Sequence, residues 1–252
     1  MMKKNVLTLC FILMMSGSFA QDAVTLYKQA ETADRKLNGI DALTKYKNVL
    51  TLEPNNSKAL LKLTELNCSL GDNEIKKDDK KKYYDSAFYY AGKLFALDSL
   101  NINGLYALFI AENKLTEVET ESKKLLQLFR NTKLYADKAW AIDSANAKAN
   151  YMLGKWQYDM AMFNWKKKIV VNTFTGKLPQ ADMDAAIDFL EKATKQDMYF
   201  IPAYWVLANA YQQENRPTQQ IGNLKFLIKL PVLSLSDNNI KTKAQQMLAG
   251  AE

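Results

Sequence analysis

The sequence predicts an all-α protein, built as a right-handed solenoid of antiparallel helix pairs with elongated central helices. Glycine (9) and proline (5) are scarce among 252 residues, and 48% of the chain is hydrophobic. That balance favours helices around a substantial core over a turn-rich β fold. Apolar residues recur at helical spacing in one segment after another. One helix ending also repeats: NVLTLEPNN (48–56) is echoed by KLFALDSLN (93–101), KAWAIDSAN (138–146) and KATKQDMYF (192–200). Each version has apolar residues, then an acid, then a break.

The first twenty residues stand apart. Lys3 and Lys4 precede a ten-residue apolar run, Val6–Met15, and Ser18-Phe19-Ala20 puts small residues at −3 and −1 before Gln21. This is the pattern of a secretory signal peptide cleaved after Ala20, and the run is too short to span a bilayer as a helix. Leu9 before Cys10 does not suit a lipidation site. No later segment is long and apolar enough to be transmembrane, so the expectation is an exported, periplasmic or secreted protein with a single repeat domain over 21–252. Cleavage lowers the net charge from +7 to +5, too mild to indicate nucleic acid. It also leaves Cys68 as the lone cysteine, expected to be a small buried residue without a disulfide. There is no histidine, which eliminates Ser/His and Cys/His nucleophile pairs and His-ligated metals.

The clearest unit is Ala23–Asn56, 34 residues long. Ala30, Ala42, Tyr46 and Pro54 occupy its positions 8, 20, 24 and 32, the small, small, aromatic and proline sites of a tetratricopeptide repeat. Small residues let the two helices approach, the ring fills the space beside them, and the proline stops the second helix. The repeated endings place new first helices at Lys58–Leu70, Asn103–Asn113, Lys148–Val171 and Ala203–Glu214. The Thr64–Ala87 and Phe109–Thr132 spacings are 23 where the standard unit has 12, an excess of about three helical turns. The run Lys76–Lys82 reads as a solvated loop or helix start, and 173–180 (TFTGKLPQ) as a loop broken by Gly176 and Pro179.

The segment 148–171 has two apolar stripes: Met152, Trp156, Met160, Phe163 and Tyr158, Met162, Trp165, Ile169. Such a helix is sandwiched between neighbours, or one stripe lines an apolar pocket. Lys166–Lys168 follow Trp165 and would suit a membrane surface.

The stretch 151–200 resembles the family of regulators of microtubule dynamics. The residues that carry the likeness are Leu153, Gly154, Trp156, Tyr158, Trp165, Lys166–Lys168, Phe174, Pro179, Ala185-Ala186-Ile187, Leu190, Lys192 and Ala193. The C-terminal 226–248 resembles that family's closing helix, Leu-Pro stop and terminal helix, and the likeness spans roughly 57–250. It implies a tetratricopeptide-like α-α superhelix with no catalytic residues. Some members sit at organelle surfaces, associated with microtubules or membrane lipids. The export signal departs from that pattern and makes tubulin an implausible partner.

Stacked helix pairs form a concave wall from their first helices. With units starting at Ala23, Ser57, Ile102, Ala147 and Ile201, position 5 reads Tyr27, Leu61, Tyr106, Tyr151 and Trp205. Positions 9 and 12 nearby add Glu31, Glu65, Lys155, Tyr158, Asn209 and Gln212. The candidate binding residues are therefore Tyr27, Tyr106, Tyr151, Lys155, Tyr158, Trp205 and Asn209, unless these rings are simply core. Aromatic rings with a few polar groups suit a protein or peptide partner, and the expected function is a non-catalytic scaffold of the cell envelope needing no cofactor or metal. The alternative is a carrier or sensor of a fatty acid or phospholipid. Paired-carboxylate chemistry would need Glu65, Glu112 and Asp159 to converge.

Overall fold

A computed structural model describes residues 22–163 and 181–251. The first pair is α1 (22–35) and α2 (Gly39–Leu52). Next come α3 (Ser57–Asn73) with α4 (Lys77–Leu97), and α5 (Ile102–Val118) with α6 (Ser122–Ile142). Then follow α7 (Ala147–Met162) with α8 (Met183–Gln196), and α9 (Ile201–Gln213) with α10 (Pro217–Leu227); α11 (Leu235–Ala249) closes the chain. The described residues form a tetratricopeptide-like superhelix and contain no strand.

The repeated helix ending now has a mechanism. Its acid makes a tight turn: Asp98, Asp143 and Asp197 each accept a hydrogen bond, at 2.9 Å, from the backbone N–H two residues on. Its last residue caps the next helix: Asn56, Asn101 and Asn146 accept from the first-turn N–H groups of α3, α5 and α7. The caps therefore set helix starts at Ser57, Ile102 and Ala147, the first residues of the expected units. In the last unit Phe200 replaces Asn, and Pro202 in the first turn of α9 favours the helix start instead.

The extra residues of the two central units lengthen both helices: α3 and α5 have 17 residues, α4 and α6 have 21. Lys76 caps α4 through its backbone, and Lys77–Lys82 form its first turns, so this charged run is a helix start.

Small residues sit where the helices cross. Ala30, Ala42, Thr64, Ala87, Thr132, Gly154 and Ala208 are buried, and Tyr46 packs edge-on against Tyr27 with 5.5 Å between ring centres. Successive core clusters share Leu50, Leu61, Tyr90, Phe95, Ile110 and Tyr135, which makes the apolar seam continuous from the first pair to α9.

The described part of the run expected over 148–171 is helical to Met162; Phe163 then takes extended backbone and its ring lies edge-on to Phe129, 5.0 Å between centres, while 164–171 lie outside the described residues. Of its two stripes, Met152, Trp156 and Met160 are core, while Met162 is exposed. Trp165, Lys166–Lys168, Ile169, Phe174 and the loop expected at 173–180 lie outside the described residues, as does the proposed signal peptide. No described helix is long and apolar enough to cross a membrane.

Candidate functional site

The first helices of the units converge on a cavity of about 570 Å³ on the concave side. Position 5 supplies Tyr106, Tyr151 and Trp205 to its wall, and Glu65, Lys155, Tyr158 and Asn209 join them. Tyr27 is not in the wall; it packs inside the first unit beside Tyr46. Leu61 belongs to the seam between clusters.

The floor is a ring cluster. Tyr106 and Tyr151 lie 6.2 Å apart, and Phe200 meets them at 6.1 and 5.0 Å. Tyr106 and Tyr151 are only 4% and 7% exposed, so the same rings are core on one side and cavity floor on the other. Burial pushes both phenols well above their ordinary range. Lys148 lies 4.8 Å over the Tyr106 ring, and burial lowers its ammonium pKa. The unit periodicity does not reveal Phe200, yet there is a signal for it. It is the position where α3, α5 and α7 carry a capping Asn, and a ring there breaks the repeat.

Fixed charges border the floor on two sides. On one, Lys114 bridges Asp72 (2.8 Å) and Glu117 (2.9 Å), with the Tyr84 hydroxyl donating to Asp72. Burial opposes the Lys114 charge, but Asp72 and Glu117 outweigh it and hold the ammonium above its ordinary range. Lys155 pairs with Asp159, which also accepts from the Asn113 amide. On the other side Lys62 pairs with Glu65 at 3.3 Å, and Glu65 raises its ammonium. Asp34 accepts the Leu235 N–H there, and burial raises its carboxyl. Asn209 folds back onto its own helix, donating to the Trp205 carbonyl. Cys68 stands in the wall, buried, with its thiol pushed up by burial.

Glu65, Glu112 and Asp159 are held by separate partners. Glu65 pairs with Lys62 and Asp159 with Lys155, while Glu112 is buried between α5 and α6, where Tyr135 donates to it at 2.9 Å. Among the described residues no cluster of three or more acidic or cysteine side chains is placed to hold a metal. The arrangement offers recognition: rings for apolar contact, three lysines held in ion pairs, and the further charges of Asp34, Lys80, Asp237 and Lys243 in the lining.

Burial raises the Glu112 carboxyl, partly offset by the hydrogen bond from Tyr135. A carboxyl raised on folding favours the folded state below its unfolded pKa, and that gain is lost as pH rises through the folded value. Glu112→Gln keeps the acceptor for Tyr135 and removes the buried charge. It is expected to add about 1 kcal/mol at pH 7 and to flatten the stability profile between the unfolded pKa and neutrality, read by urea unfolding across that range.

The family model for Regulator of microtubule dynamics protein 1-3 matches residues 19–252. The chain belongs to this family, and the match extends to the first helix pair. Among solved structures, a thermophilic tetratricopeptide protein of Thermus thermophilus is 15% identical. The alignment covers 94% of this chain and 98% of that one with a TM-score of 0.59, a likeness of fold. Two others are similar at lower scores. YrrB, a tetratricopeptide protein with an unusual peptide-binding site, is 16% identical over 90% of this chain and 93% of its own, TM-score 0.40. MamA is 22% identical over 82% and 93%, TM-score 0.39. A comparison with curated protein sequences finds no match.

Proposed function

We propose that this protein is an exported, non-catalytic scaffold of the cell envelope that holds a segment of a protein or peptide partner in its concave cavity. One observation carries the reading: Tyr106, Tyr151, Trp205 and Phe200 share the cavity with the ion-paired Lys62, Lys114 and Lys155. A peptide segment presents this mixture of apolar side chains, charges and backbone polar groups. A fatty acid or phospholipid confines its charge to one head group, and charges on two sides of the cavity disfavour its acyl chain. The signal-like residues 1–20 support a location outside the cytoplasm, where tubulin is not a partner. Residues 21–252 are taken to act as one repeat domain.

The test is selection of displayed random peptides on the purified exported chain, followed by anisotropy titration of the winners. Trp205 is half-buried and can be truncated with less damage than Tyr151. Trp205→Ala is expected to weaken selected peptides by at least about tenfold, as large aromatic anchors do, with the melting midpoint nearly kept. Peptides that bind wild type and variant equally would remove the cavity from the proposal, and failure to enrich any peptide would remove the peptide class.

A further inference from the structure

The C-terminal helix α11 belongs to two cores at once. Its far end, Ala244 and Leu248, packs with Tyr204, Leu224 and Leu227 of the last unit. Its near end returns to the first helices of the first two units, α1 and α3. Leu235 is buried among Ala30, Ala33, Leu66 and Leu70, and its N–H donates to the Asp34 carboxylate at 3.2 Å, 201 residues away in sequence. The Asn239 amide donates to Asn73 of α3 at 2.9 Å. Repeats of this kind ordinarily touch only their sequence neighbours; here the last element bridges to the first. Ser236, Asp237, Asn239 and Ile240 thereby become one wall of the cavity.

The seat for Leu235 depends on Gly39. A Cβ at that position would lie 2.8 Å from a Leu235 methyl and 3.1 Å from one of Leu70. Gly39 opens α2, where alanine would favour the helix, so its lack of a side chain serves the contact rather than α2. The two ends of α11 are unequal. The far end is embedded in a cluster that also takes in Met247 and Ile240, whereas among the described residues the near end is tied to α1 and α3 through one buried leucine and two hydrogen bonds. Leu230 is buried in the last unit and Ala244 and Leu248 are held at the far end, so the near end moves by unwinding of the first turns of α11, with 231–234, which are not helical, following.

We propose that the near end of α11 is a latch: it fills the groove between the first two units in cis, and its release opens the cavity to a partner chain that passes beyond it. This rests on the cavity being the binding site. In the closed state the latch competes with such a partner. Lifted, it leaves the Leu235 seat and the Asp34 carboxylate for an apolar residue and a backbone N–H of the incoming segment.

Cys68, in the cavity wall, provides a probe that needs no partner. In the full chain carrying Cys10→Ser, Cys68 is the only thiol, and its reaction with the disulfide reagent DTNB is timed under native conditions. Leu235→Asp breaks the latch itself, and Gly39→Val fills its seat while leaving α11 unaltered. Both are expected to speed labelling at least about tenfold, the effect of making an opening easier by one power of ten in its equilibrium. Amide exchange in α9 and α10 should stay as in wild type. Unchanged labelling in both variants would overturn the latch. So would faster labelling matched by equally faster exchange throughout α3–α6, because Cys68 would then be reached by general unfolding. Failure of peptides to bind would sink the binding reading and leave these rates untouched, so the two failures are distinguishable.

Discussion

Trp156→Ala is expected to cost about 3–5 kcal/mol, a large share of the roughly 5–15 kcal/mol that keeps a domain folded. Trp156 is among the largest fully buried side chains and stands in the largest core cluster, which runs from α5 to α9. Its indole N–H donates to the Phe129 carbonyl at 3.0 Å, tying α7 to α6, and the Lys133 ammonium lies 5.4 Å over its ring. Alanine there leaves a void between three helices and strips the Phe129 carbonyl of this donor. Trp156→Phe separates the two contributions: most of the volume stays and only the donor goes, for about 1–2 kcal/mol. Guanidinium unfolding of both variants gives the ordering. A Trp156→Ala midpoint equal to that of wild type would mean that α6 and α7 are not held by this ring.

The elements that read clearly in the sequence are those fixed within a few residues. Asn56, Asn101 and Asn146 cap helices through neighbours two or three positions away, and Asp98, Asp143 and Asp197 turn the chain through the residue two on. A local cause leaves a local pattern, so the helix starts of the middle units and their lengthening are legible. The cavity is half legible. Helical periodicity puts Tyr106, Tyr151 and Trp205 on one side of their helices, but it does not say that two of these rings are buried to 4% and 7%. Nor does it separate Tyr27, whose ring goes into the first core. The contact of Phe163 at the end of α7 with Phe129 spans 34 positions of chain and leaves no local pattern. The closing of α11 onto the first unit joins Asp34 to Leu235, and neither residue carries a local mark of it. Gly39 is likewise unmarked in the sequence and proves to be a seat for a side chain from the other end of the molecule.

Gly154 and Gly92 should respond in opposite directions to the same substitution. Both lie inside helices, α7 and α4, where alanine gains about 1 kcal/mol over glycine by intrinsic preference. At Gly92 a new Cβ meets nothing within 4 Å. Gly92→Ala is therefore expected to stabilise by about 0.5–1 kcal/mol, chiefly by restricting the unfolded chain. At Gly154 the same methyl would lie 2.7 Å from the Leu190 Cγ and 3.0 Å from the Ala186 carbonyl oxygen. Neither atom is the free end of a flexible side chain: one is a branch point buried in the core, the other is backbone of α8. To relieve the contact, α8 has to move away from α7, which disturbs the packing of Ile187, Leu190 and Ala193 along the same face. Forced overpacking of this kind costs about 1–3 kcal/mol and exceeds the helix preference, so Gly154→Ala should lower the melting temperature while Gly92→Ala raises it. Differential scanning calorimetry on the two variants compares the signs directly. If both rise, the α7–α8 approach is looser than the geometry states, and the small residue at this crossing is not what sets the spacing of the pair.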